Sequence, residues 1–200
     1  MLVLSIDTTS AVMSLALLED KEVLAEINEV LERGQAELLI PRIDDLMVRA
    51  GKDIKEINAV AVDVGPGSFT GVRVGLATAR ALGMALNIPV WGATSFEASA
   101  FNQNVACVCV LDTKRDDFYV AFMDEKDGIQ GTPKVMTVEE LKSFMPFKAV
   151  GDGAEKVREV LGCQVLDSNC SLATAIGKIA LERKTGEAIP FYLREADVTV

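Results

Sequence analysis

The sequence contains no histidine. That absence removes the side chain that most often serves as general base and metal ligand near neutral pH. It excludes any His-containing zinc site, any Ser-His-Asp triad and any Cys-His pair, and so leaves a protease without a base or a metal. The four cysteines, Cys107, Cys109, Cys163 and Cys170, include no C-x-x-C pair, so core filling is expected of them rather than metal binding. Basic residues are outnumbered, 20 Lys and Arg against 30 Asp and Glu, and never cluster beyond a pair. A chain of net charge −10 built this way is a poor binder of RNA or DNA on its own. No apolar run approaches the roughly 20 residues of a membrane span. The short apolar start, Met1–Ile6, gives way at once to Asp7, unlike a leader peptide. A cytoplasmic location away from any membrane is the expectation. What the chain does have is apolar residues, 50% of its 200, enough for one good core or two small ones.

The stretch from Asn58 to Leu86 reads as strand, tight loop and helix. Asn58–Val64 is apolar and β-branched, as a buried strand should be. The loop Gly65-Pro66-Gly67 bends sharply, and Ser68 or Thr70 can cap the helix that follows, with Phe69 between them. In that helix Gly71, Gly75, Ala79 and Gly83 recur every fourth residue and form a ridge of small side chains. Each interior glycine costs about 1 kcal/mol against alanine, so something must come close: a sheet, a second helix or a ligand. Arg73 and Arg80 lie off the ridge, toward solvent or a partner. A glycine-rich turn opening a helix can present N–H groups to an anion. The spacing here is neither a P-loop nor the dinucleotide fingerprint, and a structural turn explains it equally.

Before this stretch the pattern predicts a meander: strands at Leu2–Ile6, Val12–Leu18 and Glu22–Asn28, with a turn at Asp7-Thr8-Thr9-Ser10. A helix over 36–50 follows, stopped by Gly51, with Pro41 at a kink or in its first turn. Its apolar residues, Leu39, Ile43, Leu46 and Met47 among them, wrap further than the arc of about 100° a sheet requires. Either the helix is deeply buried, or this face together with the glycine ridge meets another chain. After a strand at 89–91 and a short helix to Phe101, Asn102-Gln103-Asn104 marks a junction. It divides the chain into 1–102 and 103–200.

The second half begins as the first does. LSIDTTSAVMSLAL and CVLDTKRDDFYVAF share an apolar strand, an Asp-Thr turn and a second apolar strand, with Asp7 and Asp112 at matching places. Short strands at 147–150 and 163–166 and helices at 138–144, 154–161 and 172–184 follow, then an extended tail. This order predicts an α/β protein of two similar halves, each a mixed sheet flanked by helices: the actin-like ATPase (ASKHA, ribonuclease-H-like) fold. In that superfamily the Asp-bearing hairpins face a nucleotide phosphate. Asp7, Thr8 and Asp112, with Gly151 and Gly153 against an adenosine, would be a vestige of such a cleft. Neither hairpin has the glycines that let backbone approach phosphate, and turn or capping roles suit all five residues.

GPGSFTGVRVG at Gly65–Gly75 resembles the signature of the TsaB (YeaZ) family. Ile6-Asp7-Thr8, Gln35-Ala36-Glu37-Leu38-Leu39-Ile40-Pro41 and Pro190-Phe191-Tyr192-Leu193-Arg194 extend the likeness over nearly the whole chain. Many relatives have a histidine about where Gln35 stands, which implies that it does no essential chemistry. The resemblance implies a non-catalytic scaffold. Such a subunit pairs through helices of its first half with a catalytic paralogue, TsaD, and the ATPase TsaE joins the pair. The complex transfers threonylcarbamoyl to the adenosine 3′ of the anticodon in ANN-decoding tRNAs. The helical His-x-x-x-His through which TsaD-type sequences hold a metal is absent here. The resemblance assigns no catalytic residue, metal or cofactor to this chain and leaves ATP or ADP to the boundary with the partner subunit. It makes Leu39, Ile43, Leu46, Met47, Gly71, Arg73, Gly75, Ala79, Arg80 and Gly83 the expected interface, and a homodimer the expected state without the partner. The alternative is an independent ATPase or small-molecule kinase of the same superfamily.

Overall fold

The computed structural model of the chain describes residues 1–31, 34–126 and 128–194. They form two units. The first takes Met1–Ala98 together with Cys170–Phe191, and the second takes Ser99–Asn169 and, of the described residues after it, 192–194.

The first unit opens with the meander β1 (Leu2–Asp7), β2 (Val12–Glu19) and β3 (Glu22–Val30). Then come α1 (Gln35–Ala50), β4 (Ala59–Asp63), α2 (Phe69–Leu86), β5 (Val90–Ala93) and α3 (Ser95–Ser99). The sheet order is β3-β2-β1-β4-β5, with β1 to β3 antiparallel and β1, β4 and β5 parallel. Side chains alternate across a strand, so Leu4 and Ile6 on β1 and Val60 and Val62 on β4 share one face. They pack there in one core with Leu39, Ile43 and Leu46 of α1 and Leu76 of α2. The opposite face is covered by α6 (Leu172–Arg183), which packs on β1, β2, β4 and β5. Gly177 of α6 leaves no room for a side chain: a Cβ there would lie 2.4 Å from Leu18 Cδ1.

The second unit contains β6 (Cys107–Asp112), β7 (Asp117–Met123), β8 (Ile129–Thr137), α4 (Val138–Lys142), β9 (Lys148–Val150), α5 (Ala154–Leu161) and β10 (Gln164–Val165). Its order is β10-β9-β6-β7-β8, again an antiparallel meander with two parallel strands added beside its first member. Order and polarity match the first unit strand for strand. The expected α/β fold of two similar halves, each a mixed sheet flanked by helices, is present.

The division at 102/103 is corrected. The break falls between Ala98 and Ser99, and α6 belongs to the first unit. The reason is chemical: Ala173, Ala175, Ile176 and Ala180 are buried, and the surface they cover is the second face of the first sheet. Strand β8 was unforeseen; it contains Gly131 and Pro133 and lies at the sheet edge, where proline is tolerated.

Candidate functional site: the two aspartate turns and the signature loop

In the first unit the parallel register sets Ile6 opposite Val62. Asp7 and Asp63, next along each strand, therefore stand side by side on the face away from α1 and α2. Both are buried, at 0% and 1% exposure. Thr9 donates to Asp7 Oδ1 through its backbone N–H and its hydroxyl, both at 2.8 Å, and the hydroxyl also lies 3.4 Å from Asp63 Oδ2. Asp63 Oδ1 accepts from the Gly65 N–H at 2.7 Å and the Ser95 hydroxyl at 2.8 Å. Burial and the neighbouring Asp7 carboxyl push Asp63 well above the usual carboxylate range, against the pull of those hydrogen bonds.

The signature loop closes over this turn. Ser68 N–H donates to the Thr9 carbonyl at 2.7 Å, and Ser95 N–H to the Gly65 carbonyl at 3.0 Å. A Cβ on Gly67 would lie 2.5 Å from the Thr9 oxygen. Gly65 has φ +98° and is buried with Pro66. Ser68 caps α2 by accepting from the Gly71 N–H. Thr70 is exposed, and the Arg73 guanidinium lies 3.7 Å from the Phe69 ring centroid. The tail rests on the same loop, with Phe191 N–H donating to the Val64 carbonyl at 2.7 Å. Backbone groups of this loop are thus used within the chain.

The small-residue ridge faces the same turn. A Cβ on Gly71 would stand 1.9 Å from the Thr8 carbonyl oxygen, and one on Gly75 2.7 Å from Thr8 Oγ1. That hydroxyl donates to the Gly71 carbonyl at 2.7 Å. Gly83 meets Val90, and Ala79 is fully buried. This corrects the expected interface. Gly71, Gly75, Ala79 and Gly83 form an inner ridge that lets α2 settle on its own sheet. Leu39, Ile43, Leu46 and Met47, at most 4% exposed, belong to the chain's own core. Of the ten expected interface residues, Arg73 and Arg80 remain on the surface. Asp7 and Thr8 are likewise corrected: sealed under the signature loop, they line no open cleft.

The second unit treats its turn differently. Asp112 Oδ2 accepts from Lys156 Nζ at 2.8 Å and Lys114 Nζ at 2.9 Å, while Oδ1 accepts from the Lys114 N–H. Burial raises the Asp112 carboxyl, but the hydrogen bonds from Lys156 and Lys114 outweigh it and hold the group down at about 2. Asp152 accepts from the Asp112 N–H at 2.8 Å, and burial pushes it up. Gly151 has φ +104° and, with Gly153, lets this turn pack on Val110 of β6. Asp112, Gly151 and Gly153 do come together. Among the described residues no three His, Cys, Asp or Glu side chains converge as a metal site. Among the described residues no helix is long and apolar enough to cross a membrane.

The sequence reading missed Asp63, Ser95, Asp152 and Lys156. The sequence signal for Asp63 was partial: a lone carboxylate at the end of an apolar strand, just before the signature loop.

Residues 22–191 match the family described as "TsaD: tRNA N6-adenosine threonylcarbamoyltransferase". An uncharacterized protein of Mycobacterium tuberculosis H37Rv is 31% identical over 198 residues, covering 98% of this chain and 92% of that protein. The Escherichia coli tRNA threonylcarbamoyladenosine biosynthesis protein TsaB is 31% identical over 135 residues. That match covers 64% of this chain and spans 58% of the E. coli protein's length. Among solved structures, YeaZ from Pseudomonas aeruginosa superposes with TM-score 0.79 at 25% identity, over 96% of this chain and 99% of that one. An activator of 2-hydroxyisocaproyl-CoA dehydratase from Clostridium difficile with bound ADPNP shares the fold, with TM-score 0.59 at 9% identity and coverage of 92% and 95%. The chain belongs to the TsaD family and, within it, to the TsaB/YeaZ branch.

Proposed function

We propose that this TsaB/YeaZ family member is a non-catalytic subunit in tRNA threonylcarbamoyladenosine biosynthesis. It pairs with a TsaD-like catalytic paralogue, which a TsaE-like ATPase joins. The assembly transfers threonylcarbamoyl to the adenosine 3′ of the anticodon in ANN-decoding tRNAs. The observation that carries this reading is the sealing of the first aspartate turn. In an ATPase of this fold that turn faces phosphate, whereas here its carboxylate is fully buried beneath the chain's own loop. A sequence without histidine also lacks the ligands that a TsaD-type metal site uses.

With the ridge packed inward, the exposed side of α1 and α2 is the surface that supports such pairing. Ile40 and Val48 on α1 are 49% and 79% exposed, and Met84 on α2 is 85% exposed. Large apolar side chains so open to water suit a helix-on-helix contact. Arg73, Ala77, Arg80 and Ala81 complete the outer face of α2. Without the paralogue the same face supports a homodimer. At net charge −10 the chain leaves tRNA binding to its partner, and any ATP or ADP lies at the boundary with that partner.

The test is association of the full chain with a TsaD-like protein by calorimetry, comparing wild type with Met84→Glu. Binding that the charge abolishes supports the reading. Equal binding by both proteins rejects this face, and ATP turnover by the chain alone supports the independent-ATPase alternative.

A further inference from the structure

The chain that follows α6 has no part in the proposed pairing role, yet it reaches the face assigned to that role. Lys184 ends α6 in the left-handed region. Residues 186–191 then meet β5, the outermost strand of the first sheet on that side, and the end of β4. A strand at a sheet edge leaves backbone N–H and C=O groups unpaired. Here Gly92 N–H of β5 donates to the Gly186 carbonyl at 3.3 Å, and Phe191 N–H donates to the Val64 carbonyl at 2.7 Å. Between these anchors Ala188 packs on the first core, as Phe191 does, while Glu187 and Ile189 are exposed. The seat is close-fitting: a Cβ on Gly186 would lie 2.4 Å from the Gly92 carbonyl oxygen.

A third anchor comes from α2. The Arg80 guanidinium donates to the Ala188 carbonyl. Arg80 is exposed, and the exposed Met84 follows it by four residues, so the two share one side of the helix. Arg80 therefore serves both the outer face of α2 and the tail. In the free chain, water competes for its bond to Ala188. When another protein covers this face, the water is displaced. A guanidinium buried without an acceptor carries a large penalty. The Ala188 carbonyl is an acceptor already in place, and a charge-assisted bond strengthens where water is excluded.

We propose that Arg80 couples the tail to the pairing face: a TsaD-like paralogue laid over Arg80 and Met84 locks residues 186–191 onto β5, and the docked tail in turn strengthens pairing. This rests on the pairing reading above and adds the tail to it. The coupling runs both ways, because a partner that favours one state of the tail must bind that state more tightly. Arg80 acts as a positioning residue for the tail.

Hydrogen exchange of the full chain, alone and saturated with a TsaD-like protein, tests this, with association followed by calorimetry on the same samples. Exchange of the Phe191 amide should slow by at least about fivefold on saturation, the low end of ordinary coupling between sites. Arg80→Met keeps the aliphatic stem and removes the donor. Its tail should exchange faster in the free chain and gain no protection from saturating partner. Gly92→Ala lies on β5 rather than on the outer face of α2, and should weaken association by a similar factor. Wild-type association without tail protection overturns the coupling and leaves pairing standing. So does an Arg80→Met tail protected like the wild type's, or a folded Gly92→Ala that associates as tightly as the wild type. Absence of any wild-type association overturns the pairing reading itself, and the coupling with it. Should a variant fail to fold, the wild-type comparison decides alone.

Discussion

The backbone N–H of Ser68 donates to the carbonyl of Thr9 at 2.7 Å, and through this bond the signature loop rides on the first aspartate turn. The loop is thereby a lid built into the fold. Its glycines serve close packing of backbone on backbone, and the inner glycines of α2 extend the same contact down the helix.

Replacing Gly71 by alanine should therefore destabilise the chain rather than weaken pairing selectively. The new methyl would lie 1.9 Å from the Thr8 oxygen, a backbone atom that cannot swing aside. Overpacking of this kind costs about 1–3 kcal/mol, sometimes more. Denaturant unfolding of Gly71→Ala should show that loss, whereas Ala77→Leu on the exposed side of α2 should unfold like the wild type.

The two faces of α1 should separate in the same way. Leu39→Ala removes a fully buried side chain and should cost about 2–5 kcal/mol. Val48→Glu alters a residue 79% exposed and should shift stability by less than about 0.5 kcal/mol. It should nevertheless weaken association with the paralogue by at least about tenfold, read by calorimetry.

The tail should depend on Gly92. A Cβ there would lie 2.4 Å from the Glu187 carbonyl oxygen, and the Gly92 N–H donates to the Gly186 carbonyl at 3.3 Å. Gly92→Ala should loosen residues 186–191, made visible as faster proteolytic cleavage within that stretch at unchanged protease concentration.

Asp112 and Asp63 should respond to pH with opposite sign. Asp112 titrates at about 2 in the folded chain, below its ordinary value of 3.8. Its contribution is present above that ordinary value and lost as pH falls toward 2. Asp63 is raised, so its contribution is complete below the ordinary aspartate range and lost as pH rises through the folded-state value. Thermal unfolding across pH should show Asp112→Asn flattening the acid side of the profile and Asp63→Asn flattening the side toward neutral and alkaline pH.

Much of the architecture was legible because each unit repeats one pattern: apolar strand, Asp-Thr turn, apolar strand. Helices α2, α5 and α6 announced themselves through Ser68, the Gly151–Gly153 turn and Ser171. What the sequence could not reveal was direction. Leu38, Leu39, Ile40, Ile43, Leu46, Met47 and Val48 wrap more than half of α1, and periodicity alone does not say that Ile40 and Val48 are the ones left outside. The glycine ridge called for a close neighbour, and the chain's own Thr8 and Val90 proved to be it. The return of α6 to the first sheet likewise depends on a bare apolar face that is visible only in three dimensions. The pairing of Asp7 with Asp63 needed the strand order, which joins residues 56 positions apart.

Reconstituted threonylcarbamoylation of an ANN-decoding tRNA, with TsaD-like and TsaE-like subunits and with or without this chain, tests the central claim most directly. The modified nucleoside should accumulate over repeated turnovers when the chain is present, fall to background without it, and fall likewise with Met84→Glu. Full modification in its absence, or ATP hydrolysis by the isolated chain at rates matching the assembly, would contradict the account.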